Sequence, residues 1–526
     1  MNRTTLSLLA AVTSLAAVTG FAALNAPDGG AATEATAPAR LPVERSSLLC
    51  PAPATSDIAE TVYTSFTPGP GSGGSSAAAG AGAELKPAVA TLRGPADDAG
   101  KAGGEKKDEA GDAGEEESAG SAKNPPSDKP LVKLEQPGKP VGAKASGSAA
   151  PALVGTATGG LAPGWTTQQT TTVSAGSGRG VLGVHCTAPD TDLWFPGANL
   201  AEDRQDYVHL TNPDDSGALV DIELYGKDGA LKSQLSDGIQ VPAGASVPVL
   251  LSTLTTDPAE DVTVHVTTRT GRVGAAVRGA GDETGSDWLP ASADPAATLV
   301  LPGVPADATS VRLVAFAPGD DDAELKVRLA SATGTINPAG AESLRVKSGM
   351  TASLDMKDVT KGEAGSILLA PAEGAPATRV VAALEVTRGK GDKQEIAYIP
   401  ATAPVAERAT AADNRAKGSV LSLTAPGATA RVKVTASAGT EGGSRAVKTY
   451  TVKGGTTLAV SPPVPAGLKG SYALTVEPES GGPVHAARTL LLPQDGIQMF
   501  TVQTLPDDRG LVAVPAAEQD LSVLDD

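Results

Sequence analysis

A chain of 526 residues is too long for a single hydrophobic core and fits three or four domains of ordinary size. Its 61 glycines and 41 prolines are too many turn-formers for a helical protein and suit short strands joined by turns, and with aromatics at 3% the cores must be filled by Val, Leu, Ile and Ala. Acidic residues outnumber basic ones, 60 to 42, for a net charge of -18, which argues against nucleic acid as a partner because phosphate binding depends on Lys and Arg displacing counterions.

Residues 1–26 carry the first signal. Arg3 precedes an apolar stretch through Leu6-Ser7-Leu8-Leu9-Ala10-Ala11-Val12 to Phe21-Ala22-Ala23-Leu24. A basic start followed by an uncharged apolar run reads as a leader helix, either a cleaved signal peptide or an uncleaved N-terminal membrane anchor. No second span follows, so the body is expected outside the cytoplasm, secreted or anchored to the membrane by this segment. The two cysteines, Cys50 and Cys186, both lie downstream. In an oxidising compartment a lone pair reads as one disulfide, the alternative being two unrelated buried thiols.

Residues 41–197 read as a divergent β-domain with two inserts. Residues 68–82 are Gly-, Ser- and Ala-rich, and residues 94–129 carry ten acids against five lysines. Neither tract carries enough apolar surface to offset the entropy of ordering it, so both are expected to be disordered. Between them Pro87-Ala88-Val89-Ala90-Thr91-Leu92 reads as a strand. Val181-Leu182-Gly183-Val184 is expected to stand where Val273-Gly274-Ala275-Ala276-Val277 stands further on. Trp194-Phe195-Pro196-Gly197 similarly matches Val300-Leu301-Pro302-Gly303.

From residue 198 a repeat of about 105 residues governs the chain, too long a period for a solenoid unit. Its landmarks are Gly244, Gly349 and Gly455, together with Pro213, Pro318 and Pro426 at the ends of apolar runs. Residues 198–303, 304–401 and 418–516 each read as a β-sandwich, with 402–417 as a connector and 517–526 as a tail. In the best-formed copy, seven short strands show period-2 alternation, for example Val262-Thr263-Val264-His265-Val266-Thr267. The fold expected is all-β: tandem immunoglobulin-like β-sandwich domains after the leader helix.

The leader, Leu49-Cys50-Pro51, the run from His185-Cys186-Thr187 to Trp194-Phe195-Pro196-Gly197, Leu210-Thr211-Asn212-Pro213 and Leu224-Tyr225-Gly226 together resemble an uncharacterised family of secreted actinobacterial proteins, catalogued as a domain of unknown function. The resemblance covers nearly the whole chain and implies no catalytic residue.

The histidines are His185, His209, His265 and His485. His209 and His265 alternate with apolar neighbours and are expected to face outward; on adjacent strands such a pair would hold a metal, and otherwise they are exposed polar positions. His185 is expected to pack beside the disulfide. The acidic turns Asp214-Asp215 and Asp320-Asp321-Asp322 read as calcium loops or as ordinary solvated turns, and lack the EF-hand spacing. Serine-hydrolase, zinc-protease and phosphate-loop motifs are absent from the sequence. No catalytic, cofactor-binding or metal residue is assigned, and no cofactor. The reading is a non-enzymatic, extracytoplasmic structural or adaptor protein of the cell envelope whose partner is an envelope protein or polymer. The alternatives are an envelope polysaccharide-binding protein and a hydrolase with an unrecognised site.

Overall fold

A computed structural model describes residues 39–69, 82–91, 129–176, 178–235 and 237–514. The leader, most of both inserts and the C-terminal tail lie outside the described residues. Among those described there is no α-helix, and no helix long and apolar enough to cross a membrane. The chain divides into two units. The smaller contributes a two-stranded antiparallel ribbon of Ala39–Pro42 and Leu511–Val514, with all eight residues exposed.

The larger unit, Val43–Gly510, holds four β-sandwiches of one topology. The third sandwich defines it. Its eight principal strands are Leu299–Val304, Ala308–Phe316, Ala323–Ala330, Ser343–Val346, Thr351–Asp355, Gly365–Pro371, Val381–Arg388 and Glu395–Pro400. Strands one, six, three and four form one sheet in that order; five, two, seven and eight form the other. The same two orders recur in the sandwiches spanning Arg45–Cys50 to Gly180–His185, Asp192–Ala198 to Gly285–Leu289, and Ala409–Asn414 to Phe500–Leu505. The immunoglobulin-like sandwich read from the sequence is therefore present four times, with eight principal strands per copy rather than seven.

Sheet pairing places several segments differently from the sequence reading. Asp192–Ala198 pairs with Val262–Thr270 and opens the second sandwich, and Leu299–Val304 likewise opens the third. Ala409–Asn414, inside the stretch read as a connector, is a fully buried strand that opens the fourth. Val181-Leu182-Gly183-Val184 lies in an eighth strand, whereas Gly274–Gly281 is a seventh. The true seventh strand of the first sandwich is Thr166–Val173, a run of Thr and Gln with no apolar alternation to reveal it. Trp194-Phe195-Pro196-Gly197 and Val300-Leu301-Pro302-Gly303 do correspond, with a register shift at the same place in both strands. Gly244, Gly349 and Gly455 sit in the equivalent turn between strands four and five, at φ 62, 67 and 73. That left-handed conformation disfavours any residue with a Cβ.

Alternation builds each sandwich core. Val262, Val264 and Val266 are fully buried against Val208, Val220 and Val277. The sandwiches do not form an open string. Asp192–Ala198 lies on the seventh strand of the third sandwich, Val381–Arg388; Leu299–Val304 lies on His485–Leu491 of the fourth; and Ala409–Asn414 lies on Thr166–Val173 of the first. Arg45–Cys50 meets Gly274–Gly281 of the second in the same manner. Each copy thus lays its first strand on the seventh strand of the next, and the fourth copy returns to the first. The four eighth strands pack against one another in the same cyclic order. The result is a closed pseudo-fourfold ring with the eighth strands at its axis. Cores merge across junctions: Ile396 and Tyr398 join the second core, and Phe500 and Val502 the third.

Candidate functional site

The disulfide expected from the sequence is present. Cys50 ends the first strand of the first sandwich and Cys186 follows its eighth strand, with Cα atoms 4.4 Å apart. That spacing is within the range a bridge requires.

The eighth strands are buried on both faces, one toward a sandwich core and one toward the ring axis. Gly285–Leu289, Glu395–Pro400 and Phe500–Leu505 contain no exposed residue. Their polar side chains are therefore held inside the ring. Asp287 Oδ1 accepts the backbone N–H of Gly183, from the first sandwich, at 3.0 Å and that of Trp288 at 2.8 Å. Burial raises the Asp287 carboxyl well above the usual carboxylate range, against these two donors. Arg179 crosses from the first sandwich to the third. It donates Nε to Glu395 at 2.7 Å, and its other nitrogens to the carbonyls of Asp392 and Gln394. Burial pushes Glu395 upward while Arg179 opposes it.

The first and fourth sandwiches meet through a second buried network. Arg488 is fully buried and donates to Gln168 at 2.9 Å and to Gln503. Burial lowers this guanidinium to about 10. Gln168 also accepts the Asp413 N–H at 2.7 Å, and Asp413 accepts Thr170 at 2.8 Å.

The histidines are not a metal pair. His209 and His265 lie in opposite sheets of the second sandwich. His209, expected to face outward, does point away from its own core, but it is buried 5.1 Å from Trp288 at the junction with the first sandwich. Burial, with the charge of Arg278, lowers it to about 3. His265 points away from Val264 as expected, but it is not a free surface group. Its ring stacks 3.5 Å from Trp194, and its nitrogens lie 3.1 and 3.0 Å from Glu223 and Asp192. His185 is half-buried, 3.1 Å from the Gln168 amide, and desolvation followed by the Arg488 charge lowers it to about 3. The acidic turns are engaged as well: Asp214 binds Arg272 at 2.9 Å, and Asp322 binds Arg345 at 2.9 Å and the Ser348 N–H at 3.1 Å.

One cavity, of about 620 Å³, opens at the junction of the third and fourth sandwiches. Arg388, at the end of the third sandwich's seventh strand, lines it from one wall. Its guanidinium donates to Asp307 at 2.8 Å and lies 4.7 Å from the Phe500 ring, so its position is fixed. Val420, Ser422, Leu458 and Thr489 of the fourth sandwich line the opposite wall. Neither the cavity nor the axial polar network was legible as a site in the sequence. Their residues are isolated in the chain and are brought together only by ring closure.

No curated protein and no solved structure matches the chain. A family model does: it describes a family of unknown function, DUF5719, and matches residues 141–463, more than half of the sequence, so the chain belongs to that family.

Proposed function

We propose that this chain is a non-enzymatic structural or adaptor protein of the cell envelope, working outside the cytoplasm, either secreted or held by its N-terminal segment. The observation that carries the reading is the use made of its buried polar groups. Arg179, Glu395, Asp287, Arg488 and Asp413 are committed to contacts between sandwiches, and His185 and His209 are held neutral. Groups spent on fixing a ring favour a rigid scaffold. The Cys50–Cys186 bridge fits an oxidising compartment. All three tryptophans are buried, Trp165, Trp194 and Trp288, which leaves none as a platform for stacking sugars and disfavours the polysaccharide-binding alternative.

Complementation of a deletion strain tests this. The full chain should fractionate with the envelope or the medium and restore resistance to envelope stress. His209→Phe and His265→Ala, if folded, should restore it equally, whereas the ring-weakening Arg179→Ala should not. Loss of complementation by a folded histidine variant would favour the hydrolase reading, and tight binding of purified wall polysaccharide would favour the lectin-like one.

A further inference from the structure

The four junctions are built alike, and a cavity opens at the one between the third and fourth sandwiches. On the outward face of each sandwich, one residue of strand two stands opposite one of strand seven and faces the preceding copy. In the second sandwich these are Tyr207 and Arg278, with the guanidinium carbon 5.2 Å from the ring centre. In the third they are Arg312 and Glu385, and Arg312 reaches Asp261 of the second at 2.6 Å. In the first they are Val62 and Thr170, and Asp413 of the fourth bonds to Thr170 at 2.8 Å. In the fourth they are Val420 and Thr489. There the third sandwich presents Gly303 at the bulge of its first strand, where the fourth presents Ala412 and Asp413. Short residues on both sides leave about 620 Å³, a volume typical of a ligand site.

The lining chemistry narrows the occupant. Val420, Leu458 and Leu491 give aliphatic contacts, interleaved with the hydroxyls of Ser422 and Thr489. Among the described residues no aromatic ring lines the space, which disfavours a sugar. An acyl chain would strip water from hydroxyls without replacing their hydrogen bonds. On the third-sandwich wall Asp307 is paired with Arg388, which among the described residues leaves Glu363 as the unpaired acid there, facing Lys453 of the fourth across the cavity. Thr456–Val460, which forms part of the lining, is the edge strand of its sheet and pairs only with strand two. The Thr457 N–H on its free side is bonded to the Ser331 carbonyl at 2.9 Å, and Ala459, two residues on, presents its backbone on the same side.

We propose that this junction binds a short extended peptide with small side chains, its amino group toward Glu363 and its carboxylate toward Lys453. Such a ligand satisfies a strand edge, small aliphatic pockets and two opposite charges together. The inference stands on the cavity and does not depend on the envelope role.

Isothermal titration of the full chain with zwitterionic tetra-alanine tests it. Saturable one-to-one binding at millimolar concentration or below is expected. Val420→Tyr with Thr489→Arg, which installs the residue types already accommodated at these positions in the second sandwich, should abolish it while the melting transition stays cooperative. Lys453→Glu, at an exposed position with no part in the core, should weaken binding about ten-fold even if the double variant fails to fold. The absence of saturable binding, equal binding by Lys453→Glu, or equal binding of cellotetraose would overturn the proposal.

Discussion

Arg179 and Glu395 are 216 residues apart in the chain and bond at 2.7 Å across the ring. Their side chains are 17% and 1% exposed, so the pair is largely desolvated. Removing one partner of a buried ion pair is costly because the other charge stays buried. Arg179→Ala should destabilise the protein by about 3–5 kcal/mol in urea unfolding at about pH 7. Burial raises the Glu395 pKa in the folded state, and a raised acid favours folding at low pH and loses that contribution as pH rises through its folded pKa. Without Arg179 the pKa rises further, so the deficit of the variant should shrink on going to about pH 5. A deficit independent of pH would mean that Glu395 is not the group left unpaired.

His209 supplies the opposite sign. Its folded pKa is lowered to about 3, so the unfolded chain takes up a proton near the ordinary value of 6.5 while the folded chain does not. Stability is lost as pH falls through that window. Against His209→Phe, which preserves the edge contact with Trp288, the wild type should lose about 2 kcal/mol more between about pH 7 and about pH 5. Parallel stability curves for the two proteins would contradict a buried neutral histidine.

The disulfide joins residues 136 apart in the sequence. In the chain-entropy model a closure of that length contributes about 4–5 kcal/mol. Paired denaturation curves of Cys50→Ser/Cys186→Ser and the parent check this, the expected change being a lower midpoint with an unchanged or larger dependence on denaturant.

His265 is bound more tightly than an exposed strand position would be. Stacking on Trp194 and two carboxylate contacts imply a loss of about 1–2 kcal/mol for His265→Ala. Val264→Asp, which buries a charge in the core, should cost several times as much. Equal melting temperatures for parent and His265→Ala would show that the stack contributes nothing.

The repeat was legible because its punctuation is chemical. Glycine is favoured in the left-handed turns at Gly244, Gly349 and Gly455, and half-buried strands such as Val262–Thr270 must alternate. The eighth strand escaped notice for the converse reason. Gly285-Ser286-Asp287-Trp288-Leu289 is buried on both faces, so it does not alternate, and its Ser and Asp resemble a turn. Thr166–Val173 was obscured in the same way, its Gln168 and Thr170 spent on the fourth sandwich rather than on water. His209 misled because a side chain directed away from its own core is exposed only when nothing packs there, and here the first sandwich does. Closure of the ring depends on contacts such as Gln168 with Arg488, 320 residues apart, and no periodicity within one copy encodes them.

The ring closes where the fourth sandwich returns to the first. Thr64 and Ser471, on opposite sides of that closing junction, have hydroxyl oxygens 3.4 Å apart and lie 407 residues apart in the chain. Thr64→Cys with Ser471→Cys, introduced together, should oxidise to an intramolecular disulfide beside the native one, giving a single faster-migrating species on a non-reducing gel and no free thiol. Two thiols that remain free and reactive under conditions where Cys50–Cys186 is intact would mean that the four sandwiches do not form a closed ring.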